Sequence, residues 1–216
     1  GVALESCAAE WVAAPGANLN RQGLYLHGGG YVQGSLNTHR LLTYHLSREA
    51  DARVLALDYR LAPEHVFPAA VEDAVSAYKW LLSQGAQPSK ITIAGDSAGG
   101  GLAVSALVSI RDEGFPVPAG GVCISPWTDL AGTGDSMKTK RDEDPMLDSA
   151  ILDWFAELYL DGADIAHPLA SPLHADLSGL PPLLVQVGTS EILLDDAARL
   201  VERARAAGVD ATLKAW

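Results

Sequence analysis

The sequence predicts an α/β protein with a mostly parallel central sheet and helices on both of its faces. Short, almost continuously apolar runs alternate along the chain with segments whose apolar residues recur at helical spacing. Such apolar runs are typical of strands that helices cover from both sides. The 216 residues contain no internal repeat and no linker, so we expect one domain over residues 1–216.

Short strands are expected at the apolar runs, near residues 10–13, 24–26, 54–58, 91–94, 121–125, 183–187 and 211–216. Helices are expected between them. Apolar residues recur at helical spacing over 70–82, after Pro68, and over 197–204, before Gly208. A further apolar segment, 102–110, is predicted to lie in the helix that follows the strand at 91–94.

A Gly-x-Ser-x-Gly motif directly follows that same strand, at Gly95, Ser97 and Gly99. An apolar strand that meets this motif and continues as a helix indicates a nucleophile elbow, a turn so tight that its serine adopts a strained backbone conformation. The two glycines leave room for the turn. Asp96 is expected to bond local backbone. Because an ordinary Gly/Ser-rich turn has the same pentapeptide, the assignment depends on the rest of the chain.

Residues 27–30 read His-Gly-Gly-Gly after another short apolar run. Consecutive glycines expose backbone N–H groups, and acyl transfer needs such donors because serine attack turns the carbonyl oxygen into an oxyanion. A flexible loop and a phosphate-binding loop are the alternatives. A phosphate-binding loop requires a Lys-Ser or Lys-Thr pair and a helix start after the glycines, and residues 31–34, Tyr-Val-Gln-Gly, supply neither.

With both motifs in this order, the chain resembles the hormone-sensitive-lipase-like (bacterial family IV) esterases of the α/β-hydrolase superfamily, in the Gly-Asp-Ser-Ala-Gly branch. The likeness runs nearly end to end, and other similar stretches are Leu-Asp-Tyr-Arg-Leu-Ala-Pro-Glu at 57–64, Phe-Pro-Ala-Ala at 67–70, Ser-Pro-Trp-Thr-Asp-Leu at 125–130 and Gly-Thr-Ser-Glu at 188–191. The resemblance implies the α/β-hydrolase fold and a serine carboxylesterase that needs neither metal nor cofactor. It also implies an oxyanion hole, whose donors are Gly29, Gly30 and Ala98, supported by His27 and Gly28.

The acid of a Ser-acid-His triad is expected after the nucleophile, at the end of a late strand. Glu191 is the first carboxylate beyond the apolar run 183–187. Similar sequences usually have Asp, Pro-Leu and then a second Asp in this frame, which here reads Glu-Ile-Leu-Leu-Asp. This match assigns the acid to Glu191 and leaves Asp195 in the first turn of the next helix, where a carboxylate favours the helix dipole. Asp195 and Asp196 remain alternative acids.

The histidines depart from the family pattern. All six precede Glu191, whereas the order in this fold is serine, acid, histidine. We therefore expect the catalytic base in a continuation beyond Trp216; a rewired base is the alternative. The chain starts without an initiator methionine, so we expect it to be truncated at both ends. His27 is assigned to the glycine loop. The others are expected at the surface or bonded to local backbone, namely His39, His45, His65, His167 and His174.

Residues 131–171 differ from the rest of the chain. They are rich in Asp, Gly, Lys and Thr and then become amphipathic, with apolar positions at Ile151, Trp154, Phe155, Leu158 and Tyr159. Long insertions between sheet strands are often functional, so the segment is interpreted as a partial lid over the active site. A plain surface helix is the alternative.

Charge and cysteine usage restrict the class of partner. Fifteen basic and 27 acidic residues give a net charge of −12, which disfavours nucleic acid and anionic membranes. No run is long enough to span a membrane. Cys7 and Cys123 do not suggest a disulfide framework, which fits a cytoplasmic location. Relatives in this family often pair through the last strand, so a homodimer and a monomer are both open.

The implied reaction is hydrolysis of short- to medium-chain acyl esters. Ser97 attacks the ester carbonyl, a histidine oriented by Glu191 takes its proton, and water then hydrolyses the acyl-enzyme. The alternative is a non-catalytic protein that binds a small ligand, as in the plant gibberellin receptors that resemble this family. Retention of the glycine loop, the serine and the acid favours the enzyme, although the chain as printed is expected to be nearly inactive.

Overall fold

The computed structural model describes all residues from Gly1 to Trp216. Its strands are β1 (Val2–Ala3), β2 (Ala8–Val12), β3 (Gln22–Leu26), β4 (Arg53–Asp58), β5 (Ile91–Asp96), β6 (Gly120–Ile124), β7 (Leu183–Val187) and β8 (Ala211–Ala215). Its helices are α1 (Leu36–Glu49), α2 (Ala69–Ser83), α3 (Ala98–Asp112), α4 (Ser136–Thr139), α5 (Ser149–Leu160) and α6 (Leu194–Ala206). Each strand expected from the sequence is present, with bounds that differ by at most a few residues.

The strands form one 8-stranded sheet in the order β1-β2-β4-β3-β5-β6-β7-β8. The strands β1 and β2 are antiparallel to their neighbours, and β3 to β8 pair in parallel. Parallel neighbours require crossover connections, which helices supply here. The prediction of a mostly parallel sheet with intervening helices is confirmed.

Helices cover the sheet from both sides. A Cβ added at Gly121 of β6 would lie 2.8 Å from Cδ1 of Leu107, so this face of β6 packs against α3. The next residue, Val122, points to the opposite face, where it lines a cavity of about 390 Å³ together with Leu46 of α1. Val122 is only half-buried, so helices cover that face of the sheet less completely. Ser97 does not line this cavity.

The helix α1 was not predicted from the sequence. It starts with a capping box, in which Ser35 accepts from the Thr38 amide and Thr38 accepts from the Ser35 amide. Its buried positions are Thr43 and Ser47 rather than large apolar residues, so the apolar periodicity that indicates most helices is missing. Only the capping signal could have indicated where it begins.

The helix α3 is the most deeply buried helix of the fold. It starts directly after Ser97, and nearly all of its residues are inaccessible to solvent. Its 15 residues carry the apolar segment that the sequence assigned to a helix after the elbow. No helix in the structure combines the length and the apolar character that crossing a membrane requires.

Candidate active site

Ser97 lies in a sharp turn between β5 and α3. Its backbone has φ 52° and ψ −122°, a region that residues with a side chain rarely adopt. Hydrogen bonds hold it there: the Ser97 amide donates to the Ile124 carbonyl at 2.9 Å, and the Ser97 carbonyl accepts from the Trp127 amide at 2.9 Å. The strained turn that the Gly-x-Ser-x-Gly motif predicts is therefore present, and Ser97 is half-buried within it.

The glycines of the motif are required because three backbone segments approach one another closely. A Cβ at Gly95 would lie 2.1 Å from the Gly99 carbonyl oxygen. A Cβ at Gly99 would lie 2.1 Å from the carbonyl oxygen of Leu26, at the end of β3. The strand that leads into the His-Gly-Gly-Gly loop is thereby held against the first turn of α3.

The His-Gly-Gly-Gly loop presents free amides beside this turn. Gly29 has φ 126° and Gly30 has φ 64°, both in the left-handed region that favours glycine. Neither N–H donates to a protein acceptor, and nor does the N–H of Ala98, the first residue of α3. These are the three donors that the sequence assigned to an oxyanion hole.

His27 is hydrogen-bonded within the glycine loop. Its Nδ1 lies 2.8 Å from the Gly28 carbonyl, which can only accept, so Nδ1 carries the proton. The ring stacks on Tyr59 at a centroid distance of 4.3 Å, and the Tyr59 hydroxyl donates to the His27 carbonyl at 2.7 Å. Burial lowers the pKa of His27, which favours the neutral ring.

Asp96 and His39 differ from the sequence expectations. Asp96 does not bond neighbouring backbone; its Oδ1 accepts from the Gly28 amide, at 2.9 Å, in the glycine loop. His39 was expected at the surface or bonded to local backbone; it is partly buried and contacts its neighbours Ser35 and Thr38, but it also makes a long-range contact that this expectation did not include. Its Nε2 lies 3.3 Å from Oδ2 of Asp96, and its side chain is 18% exposed. The contact joins residues far apart in sequence, so no local pattern indicates it.

The Glu191 carboxylate is oriented by two donors. Its Oε1 accepts from the Gly188 amide at 2.7 Å and from the Ser125 hydroxyl at 2.8 Å. Ser125 has φ 45° and follows β6, the neighbour of the strand that leads to Ser97. The sequence indicated the Ser-Pro stretch as similar to the family but gave Ser125 no role. The second oxygen of Glu191 accepts no hydrogen bond from the protein.

The two alternative acids are committed to other contacts. Asp195 accepts from the Ser136 amide at 2.8 Å. Asp196 is fully buried and accepts from the amides of Thr128 and Asp129, at 2.7 and 2.9 Å. Burial raises the pKa of Asp196 to about 7. These contacts favour Glu191 over both alternatives.

No histidine of the chain is hydrogen-bonded to Ser97 or to Glu191. The end of β8 lies beside the loop that carries the acid. The Trp216 amide donates to the Val187 carbonyl at 3.0 Å, and the Thr189 amide donates to the Trp216 carbonyl at 2.8 Å. Any residue that followed Trp216 would therefore start next to the loop at 188–191.

The segment 131–171 contacts the glycine loop through α5. A Cβ at Gly30 would lie 2.2 Å from the Phe155 ring, so this ring lies directly against Gly30. Tyr159 stacks on Tyr31 at a centroid distance of 3.9 Å. Trp154, on the same helix, is 55% exposed. The helix therefore has a buried side on the glycine loop and an apolar residue on its outer side.

The segment 131–171 also contacts the loop that carries Glu191. Asp144 accepts from the Ile192 amide at 2.9 Å, and the Ser136 hydroxyl donates to the Ile192 carbonyl at 2.6 Å. Ile192 directly follows Glu191 in the chain. The segment 131–171 thus connects the two loops on either side of Ser97.

Comparison with known proteins gives a family match, a similar curated protein and similar crystal structures. Residues 23–216 match the family described as having the alpha/beta hydrolase fold. The chain is 54% identical over 215 residues to an acetyl-hydrolase of Streptomyces hygroscopicus, covering 100% of this chain and 72% of that protein. Two crystal structures, each 55% identical, are also similar. EstE5 soaked by ethyl alcohol has a TM-score of 0.98 and covers 100% of this chain and 73% of that one.

The second is a crystal structure of an esterase from the bacterial hormone-sensitive lipase family. It has a TM-score of 0.95, and the match covers 98% of this chain and 75% of that one. This chain therefore spans about three quarters of the length of each of the three proteins.

Proposed function

Because the chain belongs to the alpha/beta hydrolase fold family, among the bacterial hormone-sensitive-lipase-like esterases, we propose that it is a carboxylic ester hydrolase with Ser97 as nucleophile. The observation that carries this proposal is the strained turn at Ser97 beside three unpartnered amides. Amides aimed at a developing oxyanion lower the barrier to acyl transfer by about 2.7–4 kcal/mol each. Gly29, Gly30 and Ala98 supply them, and no metal or cofactor enters the reaction.

The reaction proceeds in two acyl-transfer steps. The Ser97 hydroxyl attacks the ester carbonyl while a histidine takes its proton, and the tetrahedral oxyanion binds the three amides. The alcohol then leaves with that proton, and water hydrolyses the acyl-enzyme by the same route. Short- to medium-chain acyl esters are the proposed substrates. The Phe155 ring against Gly30 supports small acyl groups, because it limits the space beside the oxyanion donors.

We propose residues 1–216 as one catalytic domain with 131–171 as a partial lid. The contacts of Phe155 with Gly30 and of Asp144 with Ile192 support this role, since a plain surface helix needs no contact with both loops. The net charge of −12 supports a neutral small-molecule substrate rather than nucleic acid.

Glu191 is the proposed acid of the triad. We expect Glu191→Gln to lower kcat by about 10²–10⁴-fold in a protein that carries the base, because the neutral amide no longer stabilises the imidazolium. The matched control is Asp195→Asn, four residues further on, which still accepts from Ser136 and should retain most of the activity. Steady-state kinetics on p-nitrophenyl acetate measure both. A larger loss in Asp195→Asn than in Glu191→Gln would reassign the acid.

The base is proposed to lie beyond Trp216 in a longer protein. The hydrogen bond from Thr189 to the Trp216 carbonyl supports this position, because a following loop would start beside Glu191. The greater length of the similar proteins also supports it.

Assays of two proteins test this function. The 216-residue chain should hydrolyse p-nitrophenyl acetate only at the residual rate left by the oxyanion hole, and a protein extended past Trp216 to the length of its relatives should show a burst and full turnover. Full turnover by the 216-residue chain would mean that a histidine within it acts as base. Failure of the extended protein on all short acyl esters, with ligand binding intact, would favour the non-catalytic binding protein.

A further inference from the structure

Asp96 connects the nucleophile elbow to the oxyanion loop. It directly precedes Ser97, and its Oδ1 accepts from the amide of Gly28, the residue before the proposed donor Gly29. The same oxygen accepts from the Tyr25 hydroxyl at 2.5 Å. The carboxylate lies close against the loop, since a Cβ at Gly28 would be 2.3 Å from Oδ2. A rotation of this carboxylate therefore shifts the amides relative to the Ser97 hydroxyl.

Both ring nitrogens of His39 have hydrogen-bonding partners. The Thr38 hydroxyl donates to the Ser35 carbonyl at 2.8 Å, which uses its only proton. His39 Nδ1 lies 2.8 Å from that hydroxyl oxygen and donates to it when Nδ1 carries a proton. Nε2 lies 3.3 Å from Oδ2 of Asp96, and this contact is a hydrogen bond only if Nε2 also carries a proton. The imidazolium form donates to both partners at once while the Thr38 proton stays on the Ser35 carbonyl.

The groups that face His39 favour this charge. Asp96 is the carboxylate that faces it, and hydrogen bonding to Asp96 raises the pKa of His39 against the opposing effect of burial. From β3, the Tyr25 ring lies at a centroid distance of 6.2 Å and is neutral, since burial raises its pKa. His27 stacks on His39 at 5.5 Å, and burial holds its pKa low, so it adds no competing charge.

The contact with His39 also stabilises the negative charge of Asp96. Burial alone would raise the pKa of this carboxyl, but the hydrogen bonds from His39 and Tyr25 outweigh it and the pKa lies below its usual range. The carboxylate therefore stays ionised while it accepts from Gly28. Without the imidazolium, two neutral donors alone would have to hold a half-buried negative charge beside the nucleophile.

We propose that His39 is a positioning residue of the oxyanion hole, whose imidazolium fixes the Asp96 carboxylate and thereby holds Gly28, Gly29 and Gly30 against Ser97. The role rests on the proposed esterase function. It does not make His39 the triad base, because its Nε2 is committed to Asp96 rather than to Ser97.

The pH dependence follows from the raised pKa of His39. The pKa of His39 is higher in the folded protein than in the unfolded chain. The contact between His39 and Asp96 therefore stabilises the loop fully at pH values below the unfolded-state pKa. This stabilisation is lost as the pH rises through the folded-state pKa. The part of the esterase activity that depends on protonated His39 should be lost over the same pH interval.

The first test needs no catalysis and uses the 216-residue chain. NMR titration follows the His39 ring proton and the Gly28 amide in the wild type and in Asp96→Asn. We expect the Gly28 amide to titrate with the midpoint of His39, and the pKa of His39 to fall by about one unit or more when the carboxylate is removed. A Gly28 amide that is insensitive to the titration of His39 would overturn the proposal, whatever the enzyme does.

The second test measures kinetics in the extended esterase. His39→Gln should lower kcat by about 10-fold, less than the 10²–10³-fold loss of a whole oxyanion donor, with KM within about twofold. Binding of a trifluoromethyl ketone, which forms an oxyanion on serine, should weaken by a similar factor. The kcat ratio of wild type to variant should approach one as pH rises through the pKa of His39.

The matched control is His45→Gln, the same substitution at an exposed position of α1. It should change neither kcat nor inhibitor affinity. Equal losses in both variants, or a His39→Gln effect that is independent of pH, would indicate a general effect on α1 and overturn the positioning role. Absence of any esterase activity would refute the proposed function instead, and the Gly28 titration would still decide whether the pair holds the loop.

Discussion

Ser97→Ala is expected to lower kcat of the extended esterase by at least about 10⁴-fold, the largest kinetic effect of any single substitution. The hydroxyl is the only atom that can form the acyl-enzyme at the elbow, and no neighbouring hydroxyl shares its strained turn. The oxyanion amides remain in the variant, so binding of ester substrates should change little. Steady-state turnover of p-nitrophenyl acetate measures the loss.

The matched control for this variant is Ser109→Ala, in the same helix that Ser97 precedes. The Ser109 hydroxyl bonds Glu113 at the far end of α3 and should be dispensable for catalysis. A fluorophosphonate probe should add to the Ser109→Ala protein at Ser97, as seen by mass spectrometry, and not to Ser97→Ala. Retention of wild-type turnover in Ser97→Ala would disprove the assignment of the nucleophile.

Gly99→Ala is expected to cause the largest loss of stability, more than about 3 kcal/mol in the free energy of unfolding. Its Cβ would lie 2.1 Å from the Leu26 carbonyl oxygen and 2.5 Å from that of His27. Both are backbone atoms of the central sheet region and cannot rotate away, so β3 and α3 would have to separate. Chemical denaturation followed by circular dichroism measures the change.

Gly23→Ala is the control for that experiment. It makes the same substitution in β3, where the added Cβ would lie 3.5 Å from the nearest atom, Cγ2 of Val54, at ordinary contact distance. Its unfolding midpoint should stay close to that of the wild type, because alanine suits a strand no worse than glycine. Equal unfolding midpoints for the Gly99 and Gly23 variants would show that the nucleophile elbow is less tightly packed than these Cβ distances indicate.

Sequence reasoning identified the elements whose signals are local. Residues 91–94 are mostly apolar, and glycines lie two positions before and two positions after Ser97, so consecutive residues indicate the strand, the turn and the start of the helix. The left-handed Gly29 and Gly30 are similarly evident from three adjacent glycines. Such features need no knowledge of the rest of the chain.

The features that sequence reasoning missed have no local apolar pattern that indicates them. The strand β1 has only two residues, and α1 buries Thr43 and Ser47 instead of a stripe of large apolar side chains. The bond from Ser125 to Glu191 joins residues 66 positions apart, and the contact of His39 with Asp96 spans 57 positions. Each depends on which strands lie side by side.

By itself, the sequence determined the strands β2 to β8, the helices α2, α3 and α6, the strained serine and the candidate acid, since these follow from apolar periodicity and from glycines beside the residues they serve. The tertiary structure alone decided that Asp96 bonds Gly28 and His39, and that Phe155 lies against Gly30. The physical reason is that a parallel sheet brings β3 beside β5 through crossover connections. Residues distant in the chain then meet at the carboxyl ends of the strands, and their charges and hydrogen bonds depend on that packing.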